Sequence, residues 1–281
     1  MTLFFQQWYG ELLKLFARRR TYIGFGAFIA LEITILLLIK KFGMGPIQKA
    51  IVGSGQSFEH YFSAITVAST VMSFSVFLLG ALFLSLVAGD IVAKEGEDGH
   101  MRLLLARPVS RFRLLLLKYL TCTGYAVFLI QFLAWSSFLL GVVLRGWGGG
   151  YFAIVPEVSI VAFYEWGPGL QRYAWSSLAL GLSMTTISSI AFFLSCFRIK
   201  PAAATIGALT YILVDFILRT SGFMDSYQHL LITKHMAAWG RVLAESIDWP
   251  LVWRGYAVVF AVNITLFTLG YAVFESRDLK S

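Results

Sequence analysis

The sequence predicts an all-α integral membrane fold with six transmembrane helices, and three observations lead to it. Of its 281 residues, 58% are hydrophobic and only 14% charged, whereas soluble domains run nearer to about 25% charged. The mean hydropathy is +0.74. Apolar runs of spanning length recur along the chain, and the basic residues gather between them. A net charge of +8 therefore reads as basic helix ends at a membrane surface and not as a nucleic-acid partner.

The whole chain, 1–281, reads as a single transmembrane domain. Residues 1–20 place Phe5, Trp8, Leu12, Leu15 and Phe16 at helical spacing with Glu11, Lys14 and Arg18 interleaved. That pattern predicts an amphipathic interfacial helix. Roughly 20 apolar residues cross the hydrocarbon core, and the runs 21–39, 63–89, 119–144, 173–197, 201–218 and 255–274 approach or exceed this length. Pro201 suits a first helical turn, where its missing N–H costs nothing. Backbone exposed to lipid must satisfy its own hydrogen bonds, and no period-2 alternation marks a barrel, so these runs are helices. Arg18, Arg19 and Arg20 precede a first run that is too long for a signal core and lacks a small-residue cleavage site, so no cleavable signal is expected.

The densest Lys and Arg clusters, at 14–20 and 94–118, fall on one side of this arrangement. By the positive-inside rule that side is cytoplasmic, with both termini inside a plasma (inner) membrane. The segments 145–172 and 220–253 are then external loops. The first carries Gly148-Gly149-Gly150 and many aromatics and is expected to fold back into the interface; the second contains an amphipathic helical stretch near 227–247. Asp215 and Arg219, four residues apart, predict a local ion pair. Cys122 and Cys196 lie in predicted helices on the cytoplasmic side and read as packing residues without a disulfide.

The segment between the second and third runs is the most informative. Residues 61–89 and 119–144 contain no Asp, Glu, Lys or Arg. Between them stands a dense charged hairpin that contains Glu95, Gly99, Arg102, Leu103, Leu104, Arg107, Pro108, Val109, Ser110 and Arg111, with Lys118 at the start of the next span. Gly99 permits a close turn, Leu103 and Leu104 give an apolar edge, Pro108 stops the segment, and Ser110 is placed to cap the following helix. The result is a short cytoplasmic coupling helix within 90–113, braced across two spans.

This pattern resembles the permease subunits of ABC-2 type ABC transporters. Glu95, Gly99, the leucine pair, Pro108-Val109-Ser110-Arg111 and Lys118 match by residue. The ending Phe274-Glu275-Ser276-Arg277-Asp278 is similar to the family's usual aromatic and Arg-Asp close. The resemblance implies an ATP-driven exporter in which Glu95, Gly99, Arg102, Leu103, Leu104, Arg107, Pro108, Ser110 and Arg111 couple to a separate cytosolic ATPase subunit present in two copies. It also implies a second permease copy or a sibling permease. The chain contains no Gly-Lys dipeptide and hence no phosphate-cradling Walker A loop, so the chain itself is not expected to be an enzyme and no cofactor is expected.

Three polar residues fall at mid-membrane depth: Glu32, Gln131 and Asn263. Such groups face protein or water, which makes them candidates for the translocation path or a subunit seam; Gln131 or Asn263 is an expected partner for Glu32. His229, His235 and Met236 lie outside the spans without a metal-site spacing, and no metal is assigned. Rival classes are an intramembrane enzyme, disfavoured by the absence of hydrolase and zincin motifs, a proton-linked secondary transporter using Glu32, and a membrane scaffold.

Overall fold

The computed structural model describes residues 2–43, 45–97, 110–221 and 225–276. The chain forms a helical membrane protein. Helix α1 (Thr2–Phe16) is followed by α2 (Arg19–Phe42), the short α3 (Gly45–Gly53) and α4 (Phe58–Tyr61), then α5 (Ala64–Ser75). A π-helical turn, Val76–Gly80, joins α5 without a break to α6 (Ala81–Glu97). Helix α7 (Arg111–Arg145) leads to a hairpin of β1 (Tyr151–Val155) and β2 (Ile160–Tyr164). After it come α8 (Trp166–Ser195), α9 (Pro201–Thr220), α10 (Ile232–Met236) and α11 (Trp249–Glu275).

Among the described residues, five helices are long and apolar enough to cross a bilayer: α2 from Thr21, α7, α8, α9 and α11. The second apolar run differs, because the π-turn divides it into α5 and α6. A π-turn widens the hydrogen-bond ladder by one residue and recurs at functional sites. Three of the long helices start where the sequence places caps or a proline. Ser110 Oγ accepts from Arg113 N at 3.3 Å, Asp248 Oδ1 accepts from Leu251 N at 3.1 Å, and Pro201 occupies the first turn of α9.

Helix α8 is the core of the bundle. In its most apolar window 67% of residues are buried, against 28% in α2, α9 and α11, so α8 sits among helices whose outer faces remain exposed. Small residues make that packing close: Ser176, Ser177, Ser183, Ser188 and Ser189 of α8 are all buried. Elsewhere, a Cβ on Gly141 of α7 would lie 2.5 Å from the Ala64 carbonyl oxygen, so only glycine permits α7 to approach the start of α5 there. Cys122 and Cys196 are buried and form no disulfide.

The segment 145–172 departs from its predicted form. It contains an antiparallel hairpin, with Tyr151 opposite Tyr164 and Val155 opposite Ile160, turned through Pro156 and the left-handed Ser159 at φ 54. The hairpin is clamped inward: Phe152 N donates to Thr66 Oγ1 at 2.9 Å, and the Tyr164 hydroxyl donates to Leu243 O at 2.8 Å. The stretch 227–247 is likewise not one amphipathic helix. It is 3-10 turns, Asp225–Leu230 and Ala237–Leu243, around the five-residue α10.

The reason lies in α9. Asp215 does not pair with Arg219 as expected; its carboxylate accepts Ile232 N at 3.2 Å and Thr233 N at 2.8 Å, capping α10 from a different helix. Arg219 instead donates to Thr233 O at 2.9 Å and Glu157 O at 3.2 Å. These tertiary bonds fix the backbone in a broken path that a helical ladder would forbid.

Candidate functional site

At the end of the bundle where residues 98–109 connect α6 to α7, three helices meet around one buried cation. Lys118, seven residues into α7, is 1% exposed. Its ammonium lies 2.7 Å from Glu95 Oε1 on the last turn of α6 and 2.9 Å from Glu11 Oε2 on α1. Lys14 holds the other oxygen of Glu11 at 2.5 Å. Both carboxylates are buried, Glu95 at 7% and Glu11 at 9% exposure. Burial alone pushes the Glu11 carboxyl up, but Lys118 and Lys14 together outweigh it and hold the group below its ordinary value.

The geometry follows from helix length. At 1.5 Å per residue the 35-residue α7 is roughly 50 Å long, well beyond a hydrocarbon core of about 30 Å. A helix of that length has turns to spare beyond the apolar zone, and an ammonium near its first turns is tolerated there. Other contacts hold the same turns. Arg111 Nη1 donates to Glu275 O at the end of α11, 2.9 Å away. Phe112 packs edge-on against Tyr271, and the Arg113 guanidinium lies 5.8 Å from the Phe4 ring centroid of α1. Thr21 Oγ1 donates to Leu15 O at 2.7 Å, bracing the bend between α1 and α2.

Of the residues expected to couple to a partner, Gly99, Arg102, Leu103, Leu104, Arg107 and Pro108 lie outside the described residues. The structure gives the other three specific positions. Ser110 caps α7, Arg111 reaches the end of α11, and Glu95 turns inward onto Lys118 rather than presenting its charge at the surface. At 7% exposure and bound to a buried ammonium, the Glu95 carboxylate is held inside the bundle. Glu11 was read as one of the polar residues of a surface helix. Its burial against Lys118 was not foreseen, although the lone lysine standing inside an otherwise apolar run, with two acidic residues within reach, is the signal that points to it.

The three mid-membrane polar residues are not brought together. Glu32, fully buried in α2, accepts hydroxyls of α7: Ser137 Oγ at 2.7 Å and Ser136 Oγ at 2.8 Å. Asn263 Nδ2 of α11 donates to Thr185 Oγ1 of α8 at 2.9 Å, and Gln131 Nε2 of α7 lies 3.4 Å from Ser177 Oγ of α8. Within this chain, then, Glu32 pairs with neither Gln131 nor Asn263. Each residue ties a different pair of helices within this chain, because seryl and threonyl hydroxyls on the facing helix are nearer than any amide.

Comparison with known proteins agrees with the architecture. An uncharacterized protein of Bacillus subtilis, YhcI, is 25% identical over 215 residues, covering 73% of this chain and 66% of its own length; the chain thus spans just under two thirds of that relative. The family described as ABC-2 family transporter protein matches residues 9–215, from the middle of α1 to Asp215 in α9. That match takes in the second half of α1, the charged junction and the segment between α6 and α7, and it covers most of the chain: this protein belongs to the ABC-2 family of membrane transporter proteins.

Proposed function

We propose that the chain is the membrane-spanning permease subunit of an ATP-driven ABC-2 exporter, forming the translocation path and driven by a separate cytosolic ATPase present in two copies. The observation that carries this reading is the buried Glu11–Lys118–Glu95 junction. It locks the last turn of α6 and the first turns of α7, the two roots of the 98–109 segment, to each other and to α1. A load applied to that segment is passed to α2, α6 and α7 as one body instead of being lost in side-chain motion. In this reading α5 and α6 together form one span, giving six with α2, α7, α8, α9 and α11. Both termini and the 98–109 segment face the cytoplasm, in keeping with the basic clusters, and residues 90–113 are the docking surface. A second permease copy completes the path, since one six-helix chain is too small to enclose a broad one.

The test uses the chain purified alone and in complex with its ATPase subunit. The chain alone is expected to hydrolyse no ATP, whereas the complex does. Leu104→Asp is expected to insert and fold normally yet uncouple hydrolysis from transport, because a charge in an apolar docking cleft is strongly unfavourable. Normal transport by a Leu104→Asp complex would remove the docking assignment. Labelling from outside at cysteines introduced near either terminus would overturn the orientation.

A further inference from the structure

A second feature lies at the opposite end of α9 from the charged junction. A groove of about 620 Å³ runs between the π-turn that joins α5 to α6, the face of α8 and the outer half of α9, closed at its far end by Met236 and Trp239. Its volume falls within the range of roughly 300–1,000 Å³ typical of small-molecule sites. The walls are almost wholly apolar, and the lining side chains Phe77 (65% exposed) and Leu213 (58% exposed) stand open to the surroundings.

The only charged side chains lining the groove among the described residues are Arg219 and Glu157, with Thr233 beside them; Ser73 and Thr210 are the other polar lining residues. Thr233 is buried and its hydroxyl has no partner among the described residues. Arg219 is 13% exposed, and among the described residues its guanidinium gives one N–H to each of two carbonyls. A guanidinium carries five such donors. The Glu157 carboxylate stands 3.7 Å from Nη1, beyond hydrogen-bond range, on a side chain 42% exposed. An anion in the groove would take the place of that carboxylate.

We propose that this groove binds an amphiphile whose hydrocarbon chain lies along the wall from Phe77 to Leu213 and whose anionic head group sits on Arg219. The largely apolar length, the single charged end and the under-used guanidinium fit that chemistry, and the loose Glu157 pair is the intramolecular counter-ion that it displaces. Two sources share the chemistry: a bilayer phospholipid and a free single-chain anion arriving from water. Binding stands apart from transport; only the role of the amphiphile as cargo rests on the permease reading.

The experiment photolabels the whole chain in nanodiscs with three diazirine-bearing probes: a phosphatidylglycerol analogue, an alkyl phosphate analogue and an uncharged monoacylglycerol analogue. Labelling by one or both anionic probes is expected on peptides containing Phe77, Met184 or Leu213, and the probe that labels identifies the source. Leu213→Trp, which fills the groove, is expected to remove the label. Arg219→Gln is expected to weaken anionic labelling roughly tenfold, the loss of one charge-assisted contact. Glu157→Gln, at a half-exposed position, is expected to raise it severalfold. Equal labelling by the uncharged probe, indifference to Glu157→Gln, or equal labelling of the outward Ile264 on α11 would overturn the proposal. So would cross-linking of a cysteine at Leu213 to a second copy, which would show that another chain fills the groove. Transport is not read out, so failure of the permease reading leaves this result standing.

Discussion

Two buried carboxylate sites, one around Lys118 and one around Glu32, solve the same problem in different ways. At the charged junction two carboxylates share one ammonium that is itself 1% exposed. At mid-membrane a single carboxyl group, 0% exposed, meets only hydroxyls from consecutive positions on the facing helix. The first site joins three helices from distant parts of the sequence, near a membrane surface where charges are tolerated. The second joins two helices within the apolar zone. The lesson is that depth selects the partner. An ion network spans the helix ends, where it ties together the roots of the 98–109 segment; hydrogen bonds suffice inside, where alternative partners in the unfolded, inserted chain blunt their net worth.

The largest effect is expected from Lys118→Met, which leaves Glu11 and Glu95 buried without their common cation. Breaking one partner of a buried pair costs about 3–5 kcal/mol, read as a large fall in the thermal midpoint of the purified chain and a loss of coupling to ATP hydrolysis. Adding Glu11→Gln and Glu95→Gln to that variant is expected to recover most of the stability and none of the coupling. If stability and coupling return together, the junction is a packing element and no more.

At the second site, Ser136→Ala combined with Ser137→Ala removes both hydroxyl donors from Glu32, at an expected cost of about 1–3 kcal/mol. Glu32→Gln keeps the shape and hydrogen-bonding capacity and is expected to assemble as wild type, whereas Glu32→Leu assembles poorly. A fall in transport by Glu32→Gln at normal expression would instead give the charge a role in the path and break the comparison.

Loss of the α7 cap in Ser110→Ala is expected to cost about 1 kcal/mol, measurable as increased amide exchange in the first turn of α7. The smallest effect is that of pH. Because the Glu11 carboxyl is held below its ordinary value of 4.5, its contribution is fully present above that value and is lost as pH falls through the lowered one. Stability is therefore expected to be flat with respect to Glu11 from pH 8 to about pH 5 and to decline below the unfolded carboxylate range. Glu11→Gln is expected to flatten that acid decline, and an unchanged acid limb would remove Glu11 from the buried network.

Much of this was legible without coordinates. Helix caps at Ser110 and Pro201 are local chemistry and sit where the sequence put them. The hairpin was also locally encoded, in two five-residue runs about Pro156 that each hold four aromatic or β-branched residues, but the surrounding glycines and aromatics suited an interfacial loop equally well. The broken path of 225–243 was not encoded locally at all: Asp215 and Arg219 are i and i+4 on one helix face, and only the arrival of Thr233 from another segment draws each to a backbone partner instead of to its neighbour.

By itself the sequence determined the solvent. Long uncharged runs bounded by basic clusters make a helical membrane protein, since the bilayer leaves the backbone no other way to satisfy its hydrogen bonds. It also marked Lys118 and Glu95 as belonging to one motif. The tertiary structure decided which charges meet. Glu11 and Lys118 are separated by 107 positions, and periodicity assigns a residue to a face of its own helix without saying what that face will touch. The sign and position of each charge were written in the chain, but the pairing came from how α1, α6 and α7 converge, because Coulomb attraction and desolvation act through distance and burial, which exist only once the helices have packed.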